Sequence, residues 1–516
     1  MQATSTSHRL LVNGAIAYLL IPNILFLFGW VQWWFAIPAT LLLLAGWWGI
    51  DRQIPTVERC HKWDVQNILG VLFVLLLCFL VLESLGFTGR VEQSEDFRAR
   101  NAILSTLVRC DWPLHSADGG YFVYYHAFYL PIAVICRLSC GLISAEVGIY
   151  LWSLLGMMLA GTLLISRYGG KKAAVFLLLL CGMGFLSEWI EILIRAKEPL
   201  GISLLSEPTL LRCLYHLFYI SYADFWRELA IDAPHCGIAV LLFFILTAQK
   251  NIQVRHLFFL SASVVLFSPY AAPGLLLFLL LRVIRGLLNN RQECIKLITG
   301  VTWCALPLLF AVACFLTSNP GRSFEPFKGF YTHSGELYYL GIGCYLLTVA
   351  SLLVPAFVLL PKQYRRTSYF ITLVILAIAL PLPSFSDGNF RLKGTAVLSL
   401  CQAWLYAHLL LKRTYSHKKL LICFVAAACG YSVLHTAKQF TTFTLDREKQ
   451  VHQNCKLSWH GHLNNPQDAA YNNFFSETGP NSPLLYSEEG ASAHYLMRPF
   501  ATGKKASEDK DAVPHP

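Results

Sequence analysis

The sequence predicts an all-α, polytopic integral membrane protein of about thirteen transmembrane helices. Three observations predict it: an overwhelmingly apolar composition, apolar runs of spanning length, and basic residues gathered in alternate connections. Of 516 residues, 55% are hydrophobic and 14% charged, and the mean hydropathy is +0.51. A chain of that composition is dissolved mostly in lipid.

Taken in order, the apolar runs fall near 10–30, 31–50, 67–86, 145–166, 171–194, 233–249, 254–269, 271–287, 295–318, 337–361, 368–383, 394–411 and 418–437. Helices are the expected form, because a span through roughly 30 Å of hydrocarbon must satisfy its own backbone. The first run lacks the small-residue cleavage site of a signal peptide, and a second run follows at once, so it reads as a mature helix. The two runs flanking Ser268-Pro269-Tyr270 read as one hairpin or one broken helix.

Lys and Arg cluster at 52–62, 167–172, 250–255, 282–296, 362–366 and 412–419. With thirteen spans and a cytoplasmic N-terminus, every cluster falls inside, as the positive-inside bias requires. The opposite face then holds the loops 87–144, 195–232, 319–336 and 384–393 and the polar tail 438–516. The net charge of +11 follows from the inner clusters, so it implies contact with anionic lipid and no nucleic-acid partner.

Of the sixteen cysteines, Cys78, Cys181, Cys304 and Cys344 sit in apolar runs as small hydrophobes. Cys110, Cys213 and Cys455 fall on the outer face, with no spacing that resembles a zinc or redox motif. The pair His460 and His462 is too sparse to read as a ligand set. No cofactor is expected, and nothing in the spacing calls for a divalent metal.

Chemistry therefore has to come from the outer loops. In 96–114, Phe97, Ile103, Leu104, Leu107 and Val108 recur at helical spacing, predicting an amphipathic helix lying flat in the interface. Asp96, Arg100 and Asn101 stand near its start, where a carboxylate is stabilised by the macrodipole. Tyr121 to Tyr129 is dense in aromatics, with Tyr124, Tyr125 and His126 at its centre and Pro131 after it, as in a re-entrant or juxtamembrane helix that lines a cavity. The loop 195–232 interleaves carboxylates with Tyr215, Tyr219, Tyr222 and Trp226, the mixture a sugar-binding cleft needs. Asp232 and His235 sit where that loop meets a span.

The order of these features resembles the C-type glycosyltransferase superfamily (GT-C), membrane enzymes that use polyprenyl-phosphate-linked sugars. Glu95-Asp96 is similar to the acidic motif that opens the family's first large outer loop. Trp112-Pro113-Leu114, the run Tyr124 to Pro131, Gly141 to Glu146 and the turn Ser166 to Gly170 follow in the family's order. Arg100 departs from it, standing where related bacterial sequences carry histidine.

The resemblance implies transfer of a sugar from a polyprenyl-phosphate donor to a lipid, glycan or protein acceptor on the outer, periplasmic face of an inner membrane. It implies Asp96 as catalytic base, with Glu95 beside it, and inversion at the anomeric carbon, as expected of single displacement. A departing phosphate needs cations, and Arg98, Arg100, Arg391 and Lys393 are those assigned to it. Tyr124, Tyr125, His126, Asp232 and His235 are assigned to the substrate. The domain division is a membrane module over 1–437, with loop 87–144 catalytic and loop 195–232 the substrate cleft, and a small outer tail over 438–516 whose end is disordered. The rival readings are a flippase or transporter of lipid-linked glycans, which favours repeated spans and midspan charges, and an O-antigen polymerase or ligase, which favours a late principal loop.

Overall fold

A computed structural model describes residues 2–54, 65–84, 95–114, 122–140, 142–180, 234–249, 252, 254–269, 271–289, 303–317, 346, 349–350, 352–379, 389–412 and 416–426. The loop 195–232 with Asp232, the tail 438–516, Cys213 and Cys455 lie outside these residues. Among the described residues every regular element is helical and no β-strand occurs.

The helices are α1 Gln2–Trp30, α2 Trp33–Asp51, α3 Val65–Ser84, α4 Glu95–Arg109, α5 Leu130–Leu138, α6 Ala145–Tyr168 and α7 Gly170–Leu179. They continue with α8 Pro234–Thr247, α9 Val254–Val265, α10 Ala272–Asn289, α11 Leu306–Thr317, α12 over 352–359, α13 Ser368–Ala379, α14 Asn389–Leu410 and α15 over 418–426. Three stretches, His8–Trp30, Trp33–Asp51 and Ala145–Tyr168, are long and apolar enough to cross a membrane. The other apolar helices among the described residues are shorter, including Asn67–Glu83, Ser368–Ala379 and Ala396–Leu410.

Two kinds of apolar surface separate cleanly. On α2, Trp33, Trp34, Ile37, Leu41 and Trp48 are exposed, and on α3 so are Ile68, Leu69, Leu72, Leu76 and Phe79. Exposed apolar area of that extent is a surface made for lipid. Inside, α1 packs on α2, α5, α6, α9 and α11, and α6 packs on α1, α3, α5, α7 and α8. Small residues set these close crossings, as they do where no hydrophobic effect drives helices together. A Cβ on Gly161 would stand 2.3 Å from Val74 Cγ1, and one on Gly156 would stand 2.4 Å from Ile238 Cγ2.

Polar ties gather at one end of the bundle. Arg9 Nε donates to Asp51 Oδ1 at 2.6 Å, Asn13 Nδ2 donates to the same oxygen at 2.6 Å, and Trp47 Nε1 donates to Asn13 Oδ1 at 2.7 Å. Together they clamp the α1–α2 hairpin. His8 meets Ser166 at 3.0 Å, His256 meets Gln53 at 2.7 Å, and the Tyr168 hydroxyl donates to Ala248 O at 3.1 Å. Arg282 donates to Thr247 O, Arg285 to Arg366 O, and Arg365 to the Leu360 and Phe357 carbonyls.

The described parts of the predicted clusters at 167–172, 282–289 and 362–366 thus share one end, and several arginines there satisfy the orphan carbonyls at helix C-termini. The sequence reading assigned those charges to topology and lipid; the fold also uses them as caps. Behind the caps, Trp404 is ringed by Tyr168 at 5.1 Å, Phe176 at 5.6 Å, Tyr369 at 5.8 Å and Phe244 at 5.9 Å, closing α6, α7, α8, α13 and α14 around one side chain. From His8 to Trp30, α1 rises about 33 Å, and it delivers its last turn to the opposite end.

Candidate active site

At that opposite end lies α4, whose first turn is Glu95 and Asp96. The helix starts where the acidic pair was expected and stops at Arg109, ahead of Trp112-Pro113. Its C-terminus is tied down. Arg137 of α5 donates to Leu107 O from Nε at 3.1 Å and Nη2 at 2.6 Å, and also to Cys110 O. Trp112 Nε1 adds a third donor to Leu107 O at 3.0 Å, and the guanidinium lies 4.8 Å over the Trp112 ring. Burial lowers the pKa of Arg137 against the opposing pull of Asp111 and Cys110. Burial likewise raises that of the Cys110 thiol, which makes it a poor nucleophile.

The expected amphipathic helix differs in one respect. Ile103, Leu104 and Leu107 are buried, but so are the polar Arg100, Asn101, Ser105 and Thr106. An interfacial helix would leave its polar face in water, whereas here that face is covered too. Arg100 retains only 4% exposure, and a cation is costly to bury at that depth. Asp96 precedes Arg100 by four residues, so helical spacing puts the two on one face. The side chains of 95–99, Asp96, Glu95 and Arg98 among them, lie outside the described set.

The aromatic run comes to the same place. Phe122, Tyr124 and Tyr125 are buried, with Tyr124 stacked on Tyr125 at 4.1 Å between ring centroids. His126 is fully enclosed, 4.4 Å from the Trp30 ring, 5.6 Å from Phe315 and 6.3 Å from Phe26. Trp112 stands 5.2 Å from Trp30, an approach that requires glycine at 29, where a Cβ would meet the Trp112 ring at 2.8 Å. The chain then turns through Ala127–Tyr129 into α5, with Pro131 in its first turn, a position where the missing N–H costs nothing. At nine residues α5 is too short to span. Ser144 caps α6 by accepting from the Val147 N–H at 3.4 Å.

Within this enclosure neither ring nitrogen of His126, nor Nε1 of Trp30, has a hydrogen-bond partner among the described residues. Burial holds the imidazole neutral, lowering its pKa from 6.5 to about 3. A neutral imidazole offers one donor and one acceptor, and the indole offers a donor. Sequence reasoning found His126 but missed Trp30, Phe26 and Phe315, because nothing in an apolar span marks which aromatic will end beside a loop.

Arg391 and Lys393 occupy the start of α14, which begins at Asn389, five residues before the expected span. His235 lies in the first turn of α8. Their side chains, like Asp232, fall outside the described set. Among the described residues no group of three or more His, Cys, Asp or Glu comes together as a metal site.

The fold and this end of it define an all-helical protein with helices of membrane-spanning character and a buried polar-aromatic centre beside a juxtamembrane helix. No protein-family model matches the chain, and neither a curated protein nor a solved structure matches it.

Proposed function

We propose that the chain is an integral membrane glycosyltransferase of GT-C type, crossing an inner membrane about thirteen times. In this reading it moves a sugar from a polyprenyl-phosphate carrier to an acceptor on the outer face, with inversion. The observation that carries it is the buried polar face Arg100, Asn101, Ser105 and Thr106 on a helix that opens with Glu95-Asp96. A membrane protein retains such a face at a bundle end when something charged or polar is handled there. The orientation follows from the shared end of the basic clusters, taken as cytoplasmic by the positive-inside bias.

In this mechanism Asp96 accepts the acceptor hydroxyl's proton as that oxygen attacks the anomeric carbon, and Arg100 stabilises charge growing on the departing phosphate oxygen. Tyr124, Tyr125 and His126 contact the sugar, where aromatic faces meet C–H surfaces. Arg391 and Lys393, at the start of α14, add their charge to the positive end of that helix dipole, a favourable setting for phosphate. A donor already anchored in lipid also explains why no nucleotide-binding motif is needed.

The test is sugar transfer from a synthetic polyprenyl-phosphate donor by the purified chain. Asp96→Asn should leave expression and donor binding intact and cut turnover by roughly 10²-fold or more. Near-normal turnover would transfer the base role to Glu95 or to Asp111, which lies exposed just past the α4 cap. Absence of any transfer by the intact chain with a range of donors would overturn the class.

A further inference from the structure

The face of α2 that looks away from the bundle ends in a cation. Trp34, Ile37, Leu41, Leu44 and Trp48 are exposed along it at steps of three and four residues, and Arg52, the C-cap, is the next position in that series. Arg52 keeps helical backbone and is itself exposed, so it continues the stripe. Its guanidinium carbon lies 3.4 Å from the centroid of the Trp48 ring, a close cation–π stack. The opposite face of α2 is packed: Leu43, Gly46 and Ile50 are buried, and a Cβ on Gly46 would meet the Phe259 ring at 2.5 Å. The stripe is therefore held outward. Asp51, next to Arg52, already accepts from Arg9 and Asn13, and among the described residues the Arg52 side chain has no hydrogen-bond or ion-pair partner.

We propose that this end of α2 is a surface site for an anionic phospholipid, its acyl chain lying along Leu41, Leu44 and Trp48 and its phosphate taking the outer edge of the Arg52 guanidinium. The level is right for both parts. α2 is apolar enough to cross a membrane, and the 19 steps from Trp33 to Arg52 rise roughly 28 Å, close to the hydrocarbon thickness of about 30 Å. Trp33 and Trp34 then mark one boundary and Trp48 with Arg52 the other, where indole rings meet headgroups. Stacking occupies one face of the guanidinium and leaves its in-plane N–H groups, the fork that grips a phosphate with two parallel hydrogen bonds. Because the ring already holds the cation, little side-chain freedom remains to be lost on binding. The contacts of Arg9 with Asp51 and of His8 with Ser166 put this boundary at the basic end of the bundle, so the inference is independent of the glycosyl-transfer reading, which concerns the opposite end.

The experiment measures retention of phosphatidylglycerol and phosphatidylcholine by the purified full chain in native mass spectrometry, with thermal unfolding in lipid-free detergent to show that each variant is folded. Phosphatidylglycerol should be retained in preference to phosphatidylcholine. Arg52→Gln should weaken its retention about fivefold or more, the effect of one basic residue at a membrane surface. Arg52→Lys, which keeps the charge but not the fork, should fall between that variant and the wild type. Trp48→Leu, which keeps the stripe apolar but removes the stack, should also weaken retention. Lys362→Gln removes one exposed charge elsewhere at the same end and should leave retention unchanged. Equal retention of the two lipids would overturn the proposal, as would an Arg52→Gln loss no larger than that of Lys362→Gln. Displacement of phosphatidylglycerol by an excess of inorganic phosphate would overturn it too, in favour of a free-anion site.

Discussion

Protonation of His126 gives the sharpest test of the buried centre. The imidazole is fully enclosed by Trp30, Phe26 and Phe315, and burial lowers its pKa from 6.5 to about 3. The unfolded chain therefore takes up a proton near pH 6.5 that the folded chain refuses until about pH 3. Between those values the unfolded state binds more protons, so stability rises with pH and is lost as pH falls. The loss amounts to about 1.4 kcal/mol for each unit below 6.5, hence about 1.4 kcal/mol at pH 5.5. Many carboxylates titrate lower still, so the assay is a difference: thermal unfolding in detergent at pH 8, 6.5 and 5.5 for the wild type and for His126→Phe. The variant should lose about 1.4 kcal/mol less on going from pH 8 to 5.5. It should also match or exceed the wild type at pH 8, since an apolar ring removes two buried nitrogens for which no hydrogen-bond partner stands among the described residues. Parallel pH curves for the two proteins would refute the enclosure, because they would mean that His126 is solvated or paired.

The α4 cap predicts that Arg137→Ala lowers stability by about 1–2 kcal/mol, a capping-size loss reduced by the partial exposure of the guanidinium, and raises Cys110 labelling by thiol reagents; unchanged labelling and midpoint would remove the cap. Gly161→Leu should destabilise by about 1–3 kcal/mol through overpacking on Val74, and Val74→Ala should recover part of it in the double variant, measured by the same unfolding assay. The Arg391→Ala, Lys393→Ala double variant should bind polyprenyl phosphate about tenfold more weakly or worse at unchanged thermal stability; unaltered affinity would return both residues to ordinary interfacial positions.

Much of the architecture was legible because apolar length and basic clustering are direct consequences of the lipid solvent. Every apolar run marked from the sequence contains a described helical segment, and the described parts of the clusters at 167–172, 282–289 and 362–366 come to one end through contacts such as Arg285 with the Arg366 carbonyl. Helix ends were less legible. α14 begins at Asn389 and not at 394 because polar Arg391 and Lys393 lower the local hydropathy without breaking a helix. The covered polar face of α4 was not legible either. Residues 100–107 alternate polar and apolar types in a pattern that fits one side in water, and only tertiary packing buries both.

At both ends the fold consumes some polar groups and leaves others without a hydrogen-bond partner among the described residues, Arg167 Nε and Gln249 Oε1 at the basic end among the latter. At the basic end, Arg282, Arg285 and Arg365 each donate to a helix-terminal or turn carbonyl. Such a charge is consumed by the fold and has little left for a ligand. At the other end Arg137 is consumed in the same way, by Leu107 and Cys110. His126 and Trp30 are not, since their ring nitrogens are buried without protein acceptors or donors among the described residues. Leaving such atoms buried works against folding by about 1–3 kcal/mol each. On the glycosyl-transfer reading proposed above, the donor and acceptor of the neutral imidazole and the indole donor would be offered to a sugar hydroxyl beside Trp112.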